Sequence, residues 1–373
     1  MTLLALRNLF RDRVRLIVTL TGIVFAIVLI AIQMGLLLGF VQTISGVVDN
    51  SAVDIWISAR GVPFLEHGAQ FPARTVHRAA ATPGVLAAEN YVLRIVNWKR
   101  TDGANLPALM IGFDPASGLG KPWSVVAGRL ESLNAADSIF IDRLYQEKLG
   151  ITEIGQTVEI NGRRARVVGF TEGIRSFTTS PYIFTSVQNA MKYLRLPDSE
   201  TFYILVKTQP GADPQTVKAD LAGRLRNLDV YTTQEFARRT QRYWLLTTGA
   251  GFTVLLAAVM GLIVGIVVVS QTIYASTVDH IREYGTLKAI GASNRYLYSV
   301  IVKQAGISAI IGYAIGMAIS YAIVYVTRNG GAAILVPWQM VATMLVLTLT
   351  MCVCASLVSI RKVTTIDPAM VFK

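Results

Sequence analysis

Four stretches of this 373-residue chain contain no Asp, Glu, Lys or Arg: Leu16 to Val48, Leu245 to Val278, Gln304 to Thr327 and Asn329 to Ile360. A helix needs about 20 mostly apolar residues to cross the hydrocarbon of a bilayer. Inside it, backbone N–H and C=O groups must be satisfied within the segment, which leaves the helix as the form such a run can take. The chain therefore reads as a membrane α-helical protein with four transmembrane helices, at 16–41, 245–278, 304–327 and 337–360. The first run is much longer than the roughly 7–15 residues of a signal-peptide core, and no A-x-A site follows it, so it reads as an uncleaved anchor.

Composition agrees with this once the charges are placed. Lys plus Arg is 35 and Asp plus Glu is 23, a formal charge of +12 that by itself suits a nucleic-acid binder. Only 16% of residues are charged, against roughly 25% in ordinary soluble domains, so no nucleic-acid partner is expected. Two cysteines exclude a disulfide scaffold. Short flanks orient the spans. Arg7, Arg11, Arg13 and Arg15 precede the first; Arg282, Lys288, Arg295 and Lys303 lie between the second and third; Arg361, Lys362 and Lys373 follow the fourth. Both termini and the 279–303 segment are thus expected in the cytoplasm, with 42–244 and the short 328–336 loop outside. On that topology 11 Lys/Arg face 4 acidic residues inside and 24 face 19 outside, an excess of +7 and +5. The external excess leaves room for an acidic partner or a lipid headgroup. Residues 1–15 read either as an amphipathic helix on the inner surface, with Leu3, Leu6, Leu9 and Phe10 on one side, or as a charged anchor flank. The tail is 361–373.

Residues 42–244 change character. Strand-like runs rich in Val, Ile, Phe and Tyr occur at Val53–Ser58, Val92–Trp98, Leu106–Phe113, Ser138–Ile141, Thr157–Ile160, Ala165–Phe170, Tyr182–Phe184 and Phe202–Lys207. Asn161-Gly162 is a hairpin turn signal. Helical patches fall at Val76–Ala81, Arg143–Leu149, Val187–Leu194 and Pro214–Leu228, the last with Asp213 as cap and Pro214 at its first position. This is a large mixed α+β domain of two lobes. Gln234–Trp244 looks helical and has no Pro or Gly before Gly249. Either the second span extends outward as a continuous stalk, or that helix merely ends the domain.

No catalytic constellation emerges. A P-loop and an H-E-x-x-H motif are both missing, and His67, His77 and His280 are too scattered for a metal site. Cys352 and Cys354, inside the fourth span, read as packing residues. No charged residue lies deep in a span, which disfavours an ion-coupled carrier. Gln33 either bonds a neighbouring helix or lines a path. Three glycine pairs spaced by four put both members on one helix face: Gly35 with Gly39, Gly261 with Gly265, and Gly312 with Gly316. Each pair suits packing within a subunit or between subunits.

The segment between the second and third spans is the most informative. Ile281, Tyr284, Leu287 and Ile290 recur every three residues, giving a short amphipathic helix that Gly291 would stop. Such an element is either a docking knob for another protein or an ordinary interfacial loop.

Arg282 to Ser293, read as R-E-Y-G-T-L-K-A-I-G-A-S, closely resembles the R-E-x-G-x-L-K-A-x-G-A motif of the MacB/FtsX-type ABC transporter permeases. Nearly the whole chain follows that family's order: N-terminal helix, first span, large external domain, three clustered spans and a terminal Asp367-Pro368-Ala369. Within the domain, Asp137–Gly173 is similar to the family's stretch ending in "V-V-G". The DevC-like four-span branch with a separate ATPase is the nearest match. The resemblance implies a non-catalytic permease whose coupling helix docks into a cytoplasmic ABC ATPase subunit, present in two copies. The contacts would be Arg282, Glu283, Tyr284, Gly285, Lys288, Ala289, Gly291 and Ala292. Tyr284 departs from the Ile or Leu that the family often has. This chain then carries no cofactor; ATP and Mg belong to the ATPase. The resemblance further implies a two-fold homodimer that transmits motion, and a periplasmic MacB-like domain meeting an adaptor that leads to an outer-membrane channel. It places the chain in the cell inner membrane, in contact with membrane lipid. The implied function is export of an envelope substrate such as a lipid, glycolipid, lipoprotein or peptide. The alternative is FtsX-like signalling, in which the moving domain activates a cell-wall hydrolase. The roughly 200-residue external domain looks more like the MacB type.

Overall fold

A computed structural model describes residues 13–100, 102–176, 180–279, 286, 290, 292–327 and 333–364. The chain divides into two compact units. One contains 1–39, 253–328 and 334–373; the other contains 40–252 and 329–333.

The first unit is helical. Its elements are α1 (Arg13–Asp49), α7 (Gly249–Asp279), α8 (Asn294–Thr327) and α9 (Trp338–Thr364), the first two of which also run into the second unit. Among the described residues, four segments are long and apolar enough to span a bilayer: Leu16–Asp49, Gly249–Thr272, Tyr298–Thr327 and Trp338–Ser356. The third helix begins at Asn294, well inside the segment expected to be loop, and Ser293 starts it by accepting from the Tyr296 N–H. Helix α1 is the hub. Ile23, Ala26, Ile27, Ile30 and Ala31 are buried against Val269 of α7, Ala305, Ala309 and Met317 of α8, and Met344, Met351 and Cys352 of α9. Cys352 is fully buried there while Cys354, two residues on, is exposed.

The second unit is an α+β domain around one ten-stranded sheet. In chain order the strands are β1 (Ile55–Ala59), β2 (Phe71–Pro72), β3 (Val85–Lys99), β4 (Asn105–Phe113), β5 (Val125–Ala127), β6 (Ser138–Asp142), β7 (Thr157–Ile160), β8 (Arg163–Thr171), β9 (Tyr182–Ser186), β10 (Glu200–Thr201), β11 (Tyr203–Thr208) and β12 (Leu228–Thr232). The order is β12-β1-β11-β3-β4-β9-β6-β8-β5, with β7 on β3 and β8, while β2 and β10 pair separately. The 15-residue β3 joins the two lobes expected from the sequence. Its first half pairs β11 (Tyr91 opposite Tyr203) and its second half pairs β4 (Val92 opposite Gly112). Strands β6 and β9 are buried on both faces: helix α4 (Val187–Leu194) packs on β9 and the 3₁₀ turn Leu130–Asn134 on both strands, while α2 (Thr75–Ala80) lies on β3 and β11 and α5 (Pro214–Arg224) on β12. A short helix α3 (Gln146–Leu149) meets the end of β3, where the Trp98 indole N–H donates to the Leu149 carbonyl at 3.1 Å. Asn161 and Gly162 both take positive φ, 49° and 78°, in the β7–β8 turn, as a two-residue type I′ hairpin requires. Helix α5 starts where expected, with Asp213 accepting from the Gln215 and Thr216 N–H groups, but it stops at Arg224. Leu228 therefore opens β12, a strand not anticipated from the sequence.

Helix α6 (Thr233–Arg242) follows, opened by a capping box between Thr232 and Glu235. It does not continue into α7. A π-helical turn, Tyr243–Thr247, loosens it, and Thr248 is extended at φ −97°, ψ 148°. The uninterrupted stalk is thus overturned: Gly249 and Gly251 follow directly. A Cβ at Gly251 would collide with the Trp244 carbonyl and the Leu245 backbone, so the chain folds back on itself here.

Candidate functional site

Seven of the coupling residues, Arg282, Glu283, Tyr284, Gly285, Lys288, Ala289 and Gly291, lie outside the described residues, as do 1–12 and 365–373. The described fragments of the motif lie between α7 and α8. Thr286 is helical, and its carbonyl accepts from the Ile290 N–H at 3.1 Å, four residues on. Ile290 is 80% exposed and Ala292 half-buried.

The glycines sit at the closest approaches of the helical unit. A Cβ at Gly312 would lie 2.5 Å from Ile23 Cγ2, and one at Gly316 would lie 2.9 Å from Ile27 Cγ2. On α7, Gly261 faces Gln33 and Leu29, and Gly265 faces Ile30 and Ala26. Gly35 meets Ile334, and its carbonyl accepts from the Leu335 N–H at 3.0 Å. Two of the three pairs therefore let α7 and α8 close on α1 within one chain, and Gly35 does the same for the start of α9. Gly39, the partner of Gly35, is also hydrogen-bonded or in contact. Gln33 lays its methylenes on Gly261. No interhelical hydrogen bond from its amide occurs among the described residues.

Two polar sites in the sheet domain escaped the sequence reading. Asp142, wholly buried at the end of β6, accepts from the Leu144, Gly173 and Ile174 N–H groups and the Thr171 hydroxyl. It thereby ties the turn after β6 to the loop after β8. Glu66, in a 3₁₀ turn (Leu65–His67), is buried without a good hydrogen-bond partner for either oxygen among the described residues. Burial pushes its carboxyl up to about 7, while its own backbone N–H and the Trp244 indole N–H pull the other way. Beside it, Phe64 stacks on Tyr243 at 4.3 Å and meets Trp244 edge-on at 5.3 Å. Neither residue carries a motif, because the contacts that set each apart, Thr171, Gly173 and Ile174 for Asp142 and Trp244 for Glu66, lie far away in the chain.

Helix α6 is anchored by an aromatic box. Phe236 lies 5.3 Å from Trp56, which also contacts Tyr91 and Tyr203 edge-on at 5.4 and 5.6 Å. Phe236, Ala237 and Thr240 face that core, so the arginines of α6 are turned outward.

Comparison with known proteins now identifies the class. Residues 16–224 match the family model described as the MacB-like periplasmic core domain, and residues 255–368 match that of the FtsX-like permease C-terminal region. The chain belongs to the MacB/FtsX-type ABC transporter permeases. It is 25% identical over 378 residues to an uncharacterized ABC transporter permease of Mycobacterium tuberculosis, covering 99% of this chain and 98% of that one. Another, from Mycobacterium bovis, is 24% identical over 374 residues, with the same coverage of 99% and 98%. Among solved structures, the periplasmic region of MacB from Actinobacillus actinomycetemcomitans aligns with 52% of this chain and 96% of that chain, at 11% identity and a TM-score of 0.41. The expected fold class, four apolar helices with a large α+β domain between the first and second, is observed.

Proposed function

We propose that this chain is the permease subunit of an ABC exporter. A separate cytoplasmic ATPase, in two copies and carrying ATP and Mg, drives a homodimer of the chain. Coupling runs through the 279–303 segment, and the α+β domain moves on the outer side of the inner membrane, with both termini in the cytoplasm. The cargo is an envelope substrate of the lipid, glycolipid, lipoprotein or peptide class, handed to a periplasmic adaptor and an outer-membrane channel. The observation that carries this reading is the R-E-Y-G-T-L-K-A-I-G-A sequence between two apolar helices.

Co-purification with the ATPase encoded beside this gene tests it. The wild-type chain should retain the ATPase, and Glu283→Lys or Gly285→Trp should release it without lowering membrane insertion. ATPase retention in both variants would sink the docking assignment.

A further inference from the structure

The sheet domain carries a basic groove of about 650 Å³, formed by α6, its π-helical extension, β12 and α5. Lys218, Arg238, Arg239 and Arg242 line it against the single carboxylate of Glu235. That carboxylate is already engaged. It closes the capping box at the start of α6 and holds the Lys218 ammonium at 2.7 Å through both oxygens. Arg239 is fixed in place: its Nε donates to the Val62 carbonyl at 2.9 Å and its guanidinium lies 5.3 Å over the Tyr231 ring. Arg238 and Arg242 are exposed, one helical turn apart, and neither has an ion-pair or hydrogen-bond partner among the described residues. Tyr243, stacked on Phe64, forms an aromatic wall.

Three arginines lining one concave surface, with the one carboxylate of that lining engaged by Lys218, form a receptor for an anion with several oxygens. The planar fork of arginine matches phosphate with paired hydrogen bonds. The volume falls in the range of small-ligand sites, enough for a phosphate with its glycerol. Its place in the chain narrows the source. Thr247 lines the groove, and the membrane-spanning segment Gly249–Thr272 begins two residues later. Two residues reach at most about 7 Å, so the groove wall ends where the bilayer segment begins.

We infer that this groove binds a phosphate-bearing anionic headgroup, with Arg238, Arg239 and Arg242 as its ligands. The chemistry is shared by anionic glycerophospholipids and by soluble phosphate esters. The adjacency to the span favours the lipid over an acidic protein segment.

The test uses the full chain in zwitterionic phosphatidylcholine nanodiscs, titrated below micelle formation with short-chain phosphatidylglycerol, short-chain phosphatidylcholine, glycerol 3-phosphate and an oligoglutamate peptide. Phosphatidylglycerol should bind and phosphatidylcholine should not. Arg238→Glu with Arg242→Glu should weaken binding by about tenfold or more, and so should the milder double alanine variant. Arg163→Glu with Arg164→Glu, the same charge change on the distant β8 hairpin, should leave it intact. Glycerol 3-phosphate binding as tightly as the lipid keeps the anion site and assigns it to a soluble ester. Equal binding of phosphatidylcholine, no effect of either Arg238/Arg242 pair, or binding of oligoglutamate alone overturns the inference. No ATPase is present in the assay, so a negative result leaves the exporter reading standing.

Discussion

Replacing Asp142 by Asn should release one loop of the sheet domain and leave the rest in place. Asp142 has no exposed surface. Its Oδ1 accepts from the Leu144 N–H at 3.0 Å and the Gly173 N–H at 3.1 Å. Its Oδ2 accepts from the Thr171 hydroxyl and the Ile174 N–H, both at 2.8 Å. Asparagine keeps the shape but puts an NH₂ where two donors arrive. The cheaper orientation points that group at Thr171, whose hydroxyl can turn and accept. The Ile174 N–H is then buried against another donor. One orphaned buried N–H costs roughly 1–3 kcal/mol, and the remaining bonds lose their charge assistance. Together these amount to about 2–3 kcal/mol of local stability. Hydrogen–deuterium exchange of the full chain in nanodiscs reads this directly. The amides of Leu144, Gly173 and Ile174 should exchange roughly 30- to 160-fold faster, with Tyr203–Thr208 of β11 unchanged. Thr171→Val should cost less in the Asp142→Asn background than in the wild type, since the bond it removes is already weakened. Unaltered exchange at Gly173 and Ile174, or a uniform rise across the sheet, would refute this account of the loop.

The carboxyl of Glu66 is raised from 4.5 to about 7, so the folded state holds its proton more tightly than the unfolded chain. Its stabilising effect is complete below pH 4.5 and is lost as pH rises to about 7, a fall of order 3 kcal/mol. Glu66→Gln should flatten that slope in thermal unfolding between pH 5 and 7.5, and an unchanged slope would show the assignment to be wrong. Gly312→Ala forces a Cβ onto Ile23 and should cost about 1–3 kcal/mol, whereas Gly306→Ala meets nothing within 4 Å and should cost nothing; detergent-induced unfolding compares the two. Phe236→Ala opens the aromatic box under α6 and should cost about 3–5 kcal/mol, read as lost protection of the α6 amides; if only the Arg238–Arg242 face responded, the anchoring role would be wrong.

What the sequence by itself determined were the features that physics writes locally. Charge-free runs mark spans because lipid admits nothing else, and Asn161-Gly162 and Asp213-Pro214 mark a turn and a cap because their backbone preferences are intrinsic. Eight strands were legible from their β-branched and aromatic runs. Short strands such as β5 and β10 were not, since so few residues carry no pattern, and β12 was hidden in a helical-looking stretch. Tertiary structure alone decided the rest. Gln234–Thr248 has no Pro or Gly to stop a helix, yet it breaks at Thr248, where Gly251 packs against the backbone of Trp244 and Leu245. Glycine spacing announced close approach but not a partner, which only the packing of α7 and α8 on α1 supplies. The external charge excess of the sequence had no address. It acquired one where Phe236, buried among Trp56, Tyr203 and Tyr231, turned the arginines of α6 into a single groove. A charge count is a property of the chain, whereas convergence of charges depends on which face of a helix the core has taken.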